Sequence, residues 1–327
     1  MGADDPMRYV GLDLLRAIAA LGIVGCHLCL SPRTDGGNLV TALCDFNVGV
    51  FAAVAGFLMC GGKSEEGWLS YVSKRAKRLL PTYCCWSLVF VLATVSFDLL
   101  LDGGQLNHKY GTMAFWARVV FGGDASTHLW FLVCLFYAQA VLWWFFRGCR
   151  GRWSGVMWIA LGGVAIAGSV IMDNWLGRYP LRLVAFMMTG YSLACCLRGG
   201  VMEFVKRHKV SVCCLAGSVL VAHVMARGTA PGFIRDWFAV VPVLMTFVVL
   251  DARSERFVKI AAFFGATSMG VYLVHPLITR GLSVAVTRLV QPPYSAQVVL
   301  AEWMVAWMLS LAAAYVLGRL PVVNRYV

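Results

Sequence analysis

Charged side chains are scarce in this chain of 327 residues. Asp, Glu, Lys and Arg together make up 13% of the sequence, whereas an ordinary soluble domain carries roughly a quarter. Hydrophobic residues account for 60%, and the mean hydropathy is +0.74. Because so few charges cannot cover the surface of a water-soluble protein of this length, a soluble single chain is excluded. We expect lipid to be the solvent for most of the chain.

The sequence also lacks the segments that connect or extend soluble domains. It has no Pro/Ser-rich linker, no low-complexity tract, no evident repeat and no long polar stretch at either end. The first apolar run contains Asp13 and Arg16 and has full spanning length, which argues against a cleavable signal peptide. We therefore predict a single integral-membrane domain over 1–327, with its core at about 8–318 and no appended soluble domain.

Apolar stretches long enough to cross a membrane recur along the chain. About 20 helical residues cross the roughly 30 Å of hydrocarbon in a bilayer. Ten stretches approach that length, near 11–30, 44–62, 79–101, 128–146, 154–172, 180–197, 211–226, 235–250, 257–279 and 296–318. The sequence predicts an all-α, polytopic membrane protein with about ten transmembrane helices. Three of the stretches, from 180 to 250, are short enough that one could be tilted, re-entrant or merged.

The distribution of basic residues predicts the orientation of these helices. The chain has 28 Lys and Arg against 16 Asp and Glu, which gives a formal net charge of +12. If the N-terminus is placed inside, 18 basic residues lie in cytoplasmic segments and 9 in external ones. This agrees with the excess of Lys and Arg that cytoplasmic loops of membrane proteins carry. We predict a multi-pass protein of the cytoplasmic membrane with both termini cytoplasmic. The net charge then needs no nucleic-acid partner, and only Arg16 lies deep inside a span.

The twelve cysteines indicate neither disulfides nor a metal site. Nearly all of them lie inside predicted spans, where a free Cys behaves as a small hydrophobe. Cys26 and Cys29 flank His27 with C-x-x-C spacing, but no second Cys/His pair with ligand spacing accompanies them. We therefore expect no metal.

Ionisable residues inside a span are functional candidates, because burying them in lipid is costly unless they face a partner or a polar cavity. The first span carries Asp13, Arg16 and His27. The step of 11 residues from Arg16 to His27 is three helical turns plus about 20°, so both lie on one face, with Asp13 one turn before Arg16. This polar stripe predicts the wall of a cavity. The alternative is an Asp13–Arg16 pair that only stabilises helix packing.

Further polar groups fall in the outer half of the membrane on this topology. His128, His275 and Glu302 are candidates to line the same cavity. Each of them alone is more typical of an interfacial residue, and His275 precedes Pro276, where it could simply cap a broken helix. Position in a span predicts depth, so whether these groups converge on His27 stays open.

A basic segment precedes the third apolar stretch, with four basic residues in five positions: Lys74, Arg75, Lys77 and Arg78. Charge counting alone favours a positive-inside anchor. The alternative is an anion site, because Arg75 and Arg78 are one helical turn apart and two guanidinium groups on one face suit a phosphate.

Six segments, in the same order as in a known family, resemble the integral-membrane acyltransferases of family 3, which O-acylate cell-surface glycans. The segments are the Arg-x10-His helix GLDLLRAIAALGIVGCH, NVGVFAAVAGFLM, the Arg-x-x-Arg-x-x-Pro segment of Arg75, Arg78 and Pro81, HLWFLVCLF, FMMTGY and GATSMGVYLVHPL. Two features depart from the family. Ala55 replaces a Ser that is usual in the second motif, and the chain ends shortly after the tenth span, without the esterase-like domain of some members.

The resemblance implies a bacterial cell-envelope O-acyltransferase, with acetyl as the default acyl group. The donor would be cytoplasmic acetyl-CoA or another acyl-CoA, and the acceptor a hydroxyl of an extracytoplasmic or lipid-linked saccharide. On this hypothesis Arg75 and Arg78 bind the CoA phosphates, and Lys74 adds to the positive field. Arg16 lines the passage or orients His27, which is a general base or a nucleophile. The alternative from another class is a transporter or permease for a small polar solute.

Overall fold

A computed structural model describes most of the chain. The described residues are 9–28, 44–60, 67–101, 111–113, 115–116, 128–148, 155–171, 175–226, 232–250, 254–290 and 294–320. All regular structure within these ranges is helical, and no strand occurs in them. The expected all-α class is therefore confirmed.

The helices follow the predicted apolar stretches. They are α1 (Val10–Cys26), α2 (Asn47–Met59), α3 (Trp68–Leu101), α4 (Trp130–Gly148), α5 (Gly155–Ile171), α6 (Trp175–Cys196), the short α7 (Met202–Arg207), α8 (Lys209–Met225), α9 (Gly232–Val248), α10 (Glu255–Leu289) and α11 (Ala296–Arg319). A π-helical turn over Leu197–Val201 joins α6 to α7. Each of the ten stretches overlaps one of the longer helices, and α3 and α10 extend about ten residues beyond theirs. Three of them, α3, α10 and α11, are long and apolar enough to cross a membrane, while the ten-span topology and the side of the termini stay predictions.

Large apolar side chains cover the outer faces of several helices. Leu88 and Leu92 on α3 and Met308 on α11 are all more than half exposed, although each is strongly apolar. Most of the buried apolar side chains form one cluster, to which α1, α2, α3, α4, α6, α9, α10 and α11 all contribute. An apolar interior inside an apolar surface fits a protein whose solvent is lipid.

Small residues bring α2 and α6 into close contact. A Cβ added at Gly56 would overlap the backbone of Met187, and one at Gly190 would overlap the carbonyl group of Ala53. Reciprocal glycines of this kind let two helix backbones approach, as is common between helices in membranes. The contact holds α2 in the place from which it supplies one wall of the cavity described below.

α10 corrects the expectation that His275 caps a broken helix. The helix runs unbroken for 35 residues through Pro276. A proline has no N–H to donate to the carbonyl four residues earlier, which here belongs to Tyr272. The Nδ1 atom of His275 lies 2.8 Å from that carbonyl oxygen and 3.2 Å from that of Val271. The imidazole therefore takes the place of the missing backbone donor, and the helix continues.

α3 joins two features that were separate in the sequence. The basic segment and the third apolar stretch form one helix of 34 residues, with Pro81 inside it. Arg75 and Arg78 consequently belong to the same rigid element as the apolar residues that follow them.

Candidate active site

A cavity of about 330 Å³ lies between five helices. It is lined from α1, α2, α3, α4 and α10. Its basic residues are Arg16 on α1 and Arg75 and Arg78 on α3. Much of the remaining wall is apolar, including side chains of α2 and α4. Two groups of positive charge that are far apart in the sequence therefore face one space.

Arg16 both lines this cavity and contacts an acid. Its Nη1 atom lies 3.7 Å from Oδ1 of Asp13, one turn earlier on α1. Asp13 packs against α10, where a Cβ added at Gly265 would lie 2.7 Å from the Cβ of Asp13. Asp13 is not among the residues that line the cavity. Of the three residues in the polar stripe, only Arg16 lines this cavity, and its contact with Asp13 is present as well.

The basic segment of α3 divides between the cavity and the surface. Arg75, which is half-buried, and Arg78, which is exposed, line the cavity, whereas Lys74 is exposed and is not part of its wall. The guanidinium carbon of Arg75 lies 5.2 Å from the ring centroid of Tyr71, one turn earlier. The Thr82 hydroxyl, which also lines the cavity, donates to the carbonyl of Arg78 at 2.9 Å. Two of the three candidate donor-binding residues therefore line the cavity.

Three histidines, one in α10 and two just outside α1 and α4, meet at the C-terminal end of α1. His27 follows the last residue of α1, His128 lies two residues before α4, and His275 is in α10. The ring centroids of His27 and His275 are 5.0 Å apart, those of His128 and His275 are 5.2 Å apart, and those of His27 and His128 are 6.4 Å apart. His128 and His275 are buried, and His27 is half-buried. Two of the outer polar groups thus converge on His27.

Hydrogen bonds define the chemistry of this histidine cluster. Because a carbonyl oxygen only accepts, the contact of His275 Nδ1 with the Tyr272 carbonyl places a proton on Nδ1. The Nε2 atom of a neutral His275 is then an acceptor, and it makes no hydrogen bond within the described residues. The Tyr272 hydroxyl donates to the backbone carbonyl of His128 and joins α10 to the start of α4. The cluster is therefore anchored from two helices.

An aromatic group lies between the cavity and the histidine cluster. Phe51 and Phe131 line the cavity, and their ring centroids lie 6.4 Å and 5.5 Å from that of Tyr272. The Tyr272 ring lies in turn 5.4 Å from His128 and 6.0 Å from His275. The basic cavity and the histidine cluster are thus neighbours, with aromatic rings between them.

Glu302 is a buried acid that does not line the cavity. It is 3% exposed on α11, it is not among the cavity-lining residues, and neither carboxylate oxygen makes a hydrogen bond within the described part of the chain. The adjacent Trp303 donates from Nε1 to the Leu21 carbonyl on α1 at 2.9 Å. None of the four candidate cavity-lining residues is in the wall of this cavity. His128 and His275 belong to the histidine cluster, and Asp13 contacts Arg16.

The cavity includes polar and small residues that sequence reasoning did not select. Gln139 and Thr82 line it, and so does Ala55, the residue that departs from the family motif. Gln139 lies 11 residues after His128, the same step that separates Arg16 from His27, but a lone uncharged amide in an apolar stretch is too weak a signal to select it. Ala55 places a methyl group where a serine would offer a hydroxyl.

No metal centre is present in the described residues. Within those ranges no group of three or more His, Cys, Asp and Glu side chains is arranged so that it could hold a metal ion, the three histidines included.

These features define an all-helical membrane protein with a basic cavity and a buried histidine cluster. Residues 9–319 match the family model of an acyltransferase domain. The chain belongs to the acyltransferase 3 family, as its motifs led us to expect, and it is a membrane acyltransferase. The transporter alternative is not favoured. No curated protein and no solved structure matches the chain.

Proposed function

We propose that this protein transfers an acyl group, by default acetyl, from cytoplasmic acyl-CoA to a hydroxyl of an extracytoplasmic or lipid-linked saccharide of a bacterial envelope. One observation supports this proposal most directly. Arg16, Arg75 and Arg78 line a single cavity, and His27 directly follows the helix that carries Arg16, about 16 Å further along. A donor site and a reacting imidazole are thereby separated along the direction in which an acyl group would have to travel.

The basic end of the cavity suits the donor. Coenzyme A carries several phosphate charges, and the guanidinium groups of Arg75 and Arg78 bind phosphate oxygens in a forked geometry. Lys74 is exposed on the same helix and adds positive field near the opening without contacting the cavity. The apolar wall beyond the arginines suits an acyl-carrying arm.

The histidine cluster suits the transfer step. An imidazole of His27 would accept the proton of the acceptor hydroxyl while that oxygen attacks the thioester carbonyl carbon. The carbon–sulfur bond breaks, and the CoA thiolate leaves and takes the proton back. The alternative is an acyl-imidazole on His27, which the acceptor hydroxyl then attacks. In either case the Nε2 acceptor of His275 can stabilise a protonated neighbouring imidazole.

A comparison of surface glycans tests this function. We expect mass spectrometry of envelope saccharides to show added acetyl groups in cells that carry the gene and to miss them in cells that lack it. Labelled acetyl-CoA supplied to the cytoplasmic side of membrane vesicles should pass its label to the same saccharides. Identical glycans with and without the gene would contradict the acceptor class, and a label that never leaves acetyl-CoA would contradict the donor.

A further inference from the structure

Gln139 is a buried amide in the wall of the cavity. Its side chain lines the cavity, the residue is only 5% exposed, and its Oε1 atom makes no hydrogen bond within the described residues. A buried acceptor without a donor is costly, and such groups in folded proteins usually have a partner. The position therefore calls for a donor from a molecule that enters the cavity.

The residues around Gln139 indicate which kind of hydrogen-bond donor its Oε1 atom would accept from. On α4 the residues that line the cavity follow a helical spacing, with Leu132 and Leu135 preceding Gln139 on the same face. The Thr82 hydroxyl uses its proton on the carbonyl of Arg78. Gln139 is thus a polar residue at the end of an otherwise apolar strip of α4, and the charged groups in the same cavity are guanidinium ions.

The parts of an acyl-CoA differ in whether they can satisfy this acceptor. Fully ionised phosphates, a thioester and an alkyl chain offer no N–H or O–H donor. The pantetheine arm carries two secondary amides, each with one N–H donor, and one hydroxyl near the phosphates. The other donors, the adenine amino group and the ribose 2′-hydroxyl, lie on the far side of the phosphates from the thioester. The arm also runs from the phosphates towards the thioester, as a ligand must that spans from the arginines into the apolar part of the cavity.

We propose that Oε1 of Gln139 accepts a hydrogen bond from an amide N–H of the pantetheine arm of the donor. This assignment rests on the proposed function, because it takes acyl-CoA as the donor. Gln139 is then a positioning residue that recognises the arm, while Arg75 and Arg78 recognise the phosphates. The two contacts together distinguish acyl-CoA from nucleotides that share its phosphates.

Binding to the purified full-length protein in detergent, measured by calorimetry, tests the assignment with two ligands. Coenzyme A carries the pantetheine arm, and adenosine 3′,5′-bisphosphate carries phosphates and adenine without the arm. We expect Gln139→Met, which keeps the length of the side chain and removes the acceptor, to weaken binding of CoA about tenfold. Its affinity for the bisphosphate should stay within about twofold. Arg75→Ala combined with Arg78→Ala should weaken both ligands.

Controls keep this result interpretable. Gln297→Met makes the same change at an exposed position of α11 and should alter neither affinity. Gln139→Asn keeps an amide but shortens the side chain by one methylene, and it should also weaken CoA selectively if Gln139→Met does not fold. Equal CoA affinity in the parent and both Gln139 variants, or equal losses for the two ligands, would overturn the assignment. A parent protein that binds neither ligand would instead contradict the proposed donor.

Discussion

At the scale of single residues, His275 serves the fold and the site together. Its Nδ1–H donates to the Tyr272 carbonyl, which Pro276 leaves without its usual backbone partner. That bond keeps α10 continuous and also determines which nitrogen of the ring is left as an acceptor beside His27 and His128. The histidine–proline pair in α10 therefore explains both why the helix is unbroken and which ring nitrogen of His275 is the acceptor.

Removal of the His27 imidazole should abolish transfer without unfolding the protein. We expect His27→Ala to lower acetyl transfer by at least about a hundredfold, the usual minimum contribution of a positioned acid–base group. Expression, membrane insertion and the affinity for CoA should stay close to the parent values, because His27 is half-buried at the end of α1 and lies outside the basic cavity. The measurement is transfer of labelled acetyl in membrane vesicles, with CoA binding in detergent.

His208→Ala provides the matched control for that experiment. His208 is exposed at the junction of α7 and α8, so the same substitution there should leave transfer unchanged. Full transfer activity in His27→Ala would rule out both the general-base and the acyl-imidazole mechanism.

At the scale of elements, the position of the cavity depends on how closely α2 approaches α6. α2 supplies Phe51, Val54, Ala55 and Leu58 to the cavity wall, and its other side meets the glycine of FMMTGY. The same motif that carries the family resemblance thus has a packing reason, because only glycine lets the two backbones meet at that level.

A methyl group at Gly190 should push these helices apart. Gly190→Ala would place a Cβ against the backbone of Ala53, and neither backbone can move cheaply. Overpacking of this kind costs about 1–3 kcal/mol, so we expect a lower melting temperature in detergent and weaker CoA binding. Thermal unfolding followed by tryptophan fluorescence would measure the first, and calorimetry the second.

Gly217→Ala is the control at the same scale. Gly217 lies in α8, and a Cβ there would meet nothing within 4 Å. Because alanine favours a helix over glycine by about 0.8–1 kcal/mol, this substitution should preserve or raise the melting temperature. Equal stability of Gly190→Ala and the parent would contradict the close approach of α2 and α6.

At the scale of the whole molecule, the positions of the helices were predictable and their contacts were not. Hydropathy records which residues meet lipid, so the apolar stretches could be located residue by residue. The periodicity of α1 also predicted that Arg16 and His27 share a face. Distances between helices depend on side-chain packing, so the meeting of His27 with His275, and of Arg16 with Arg75, could not be derived from the sequence.

Gln139 was missed for a related reason. A single uncharged amide in an apolar helix carries little signal, because such residues also occur at helix interfaces and lipid boundaries. Charged residues stood out because burying them in lipid is expensive. Gln139 becomes a candidate binding residue because it shares a cavity with Arg16 and Arg78. That cavity exists only once α1, α3 and α4 have packed together.

The orientation of the whole molecule in the membrane can be tested with two exposed glycines. Gly67 precedes α3 on the side predicted to be cytoplasmic, and Gly111 lies in the segment predicted to be external. A side chain at either position would meet nothing within 4 Å, so a cysteine should be tolerated at both. The positive-inside bias predicts that a membrane-impermeant maleimide labels Gly111→Cys on intact cells, and Gly67→Cys only after permeabilisation.

The native cysteines set the background for this labelling experiment. Nearly all lie in predicted spans, where an un-ionised thiol in lipid reacts poorly with a water-soluble maleimide. The parent protein measured in parallel should therefore give little signal. Labelling of Gly67→Cys from outside would show that the topology is the reverse of the predicted one. Arg75 and Arg78 would then lie on the external side, where a cytoplasmic acyl-CoA could not reach them. The direction of acyl transfer therefore depends on this outcome.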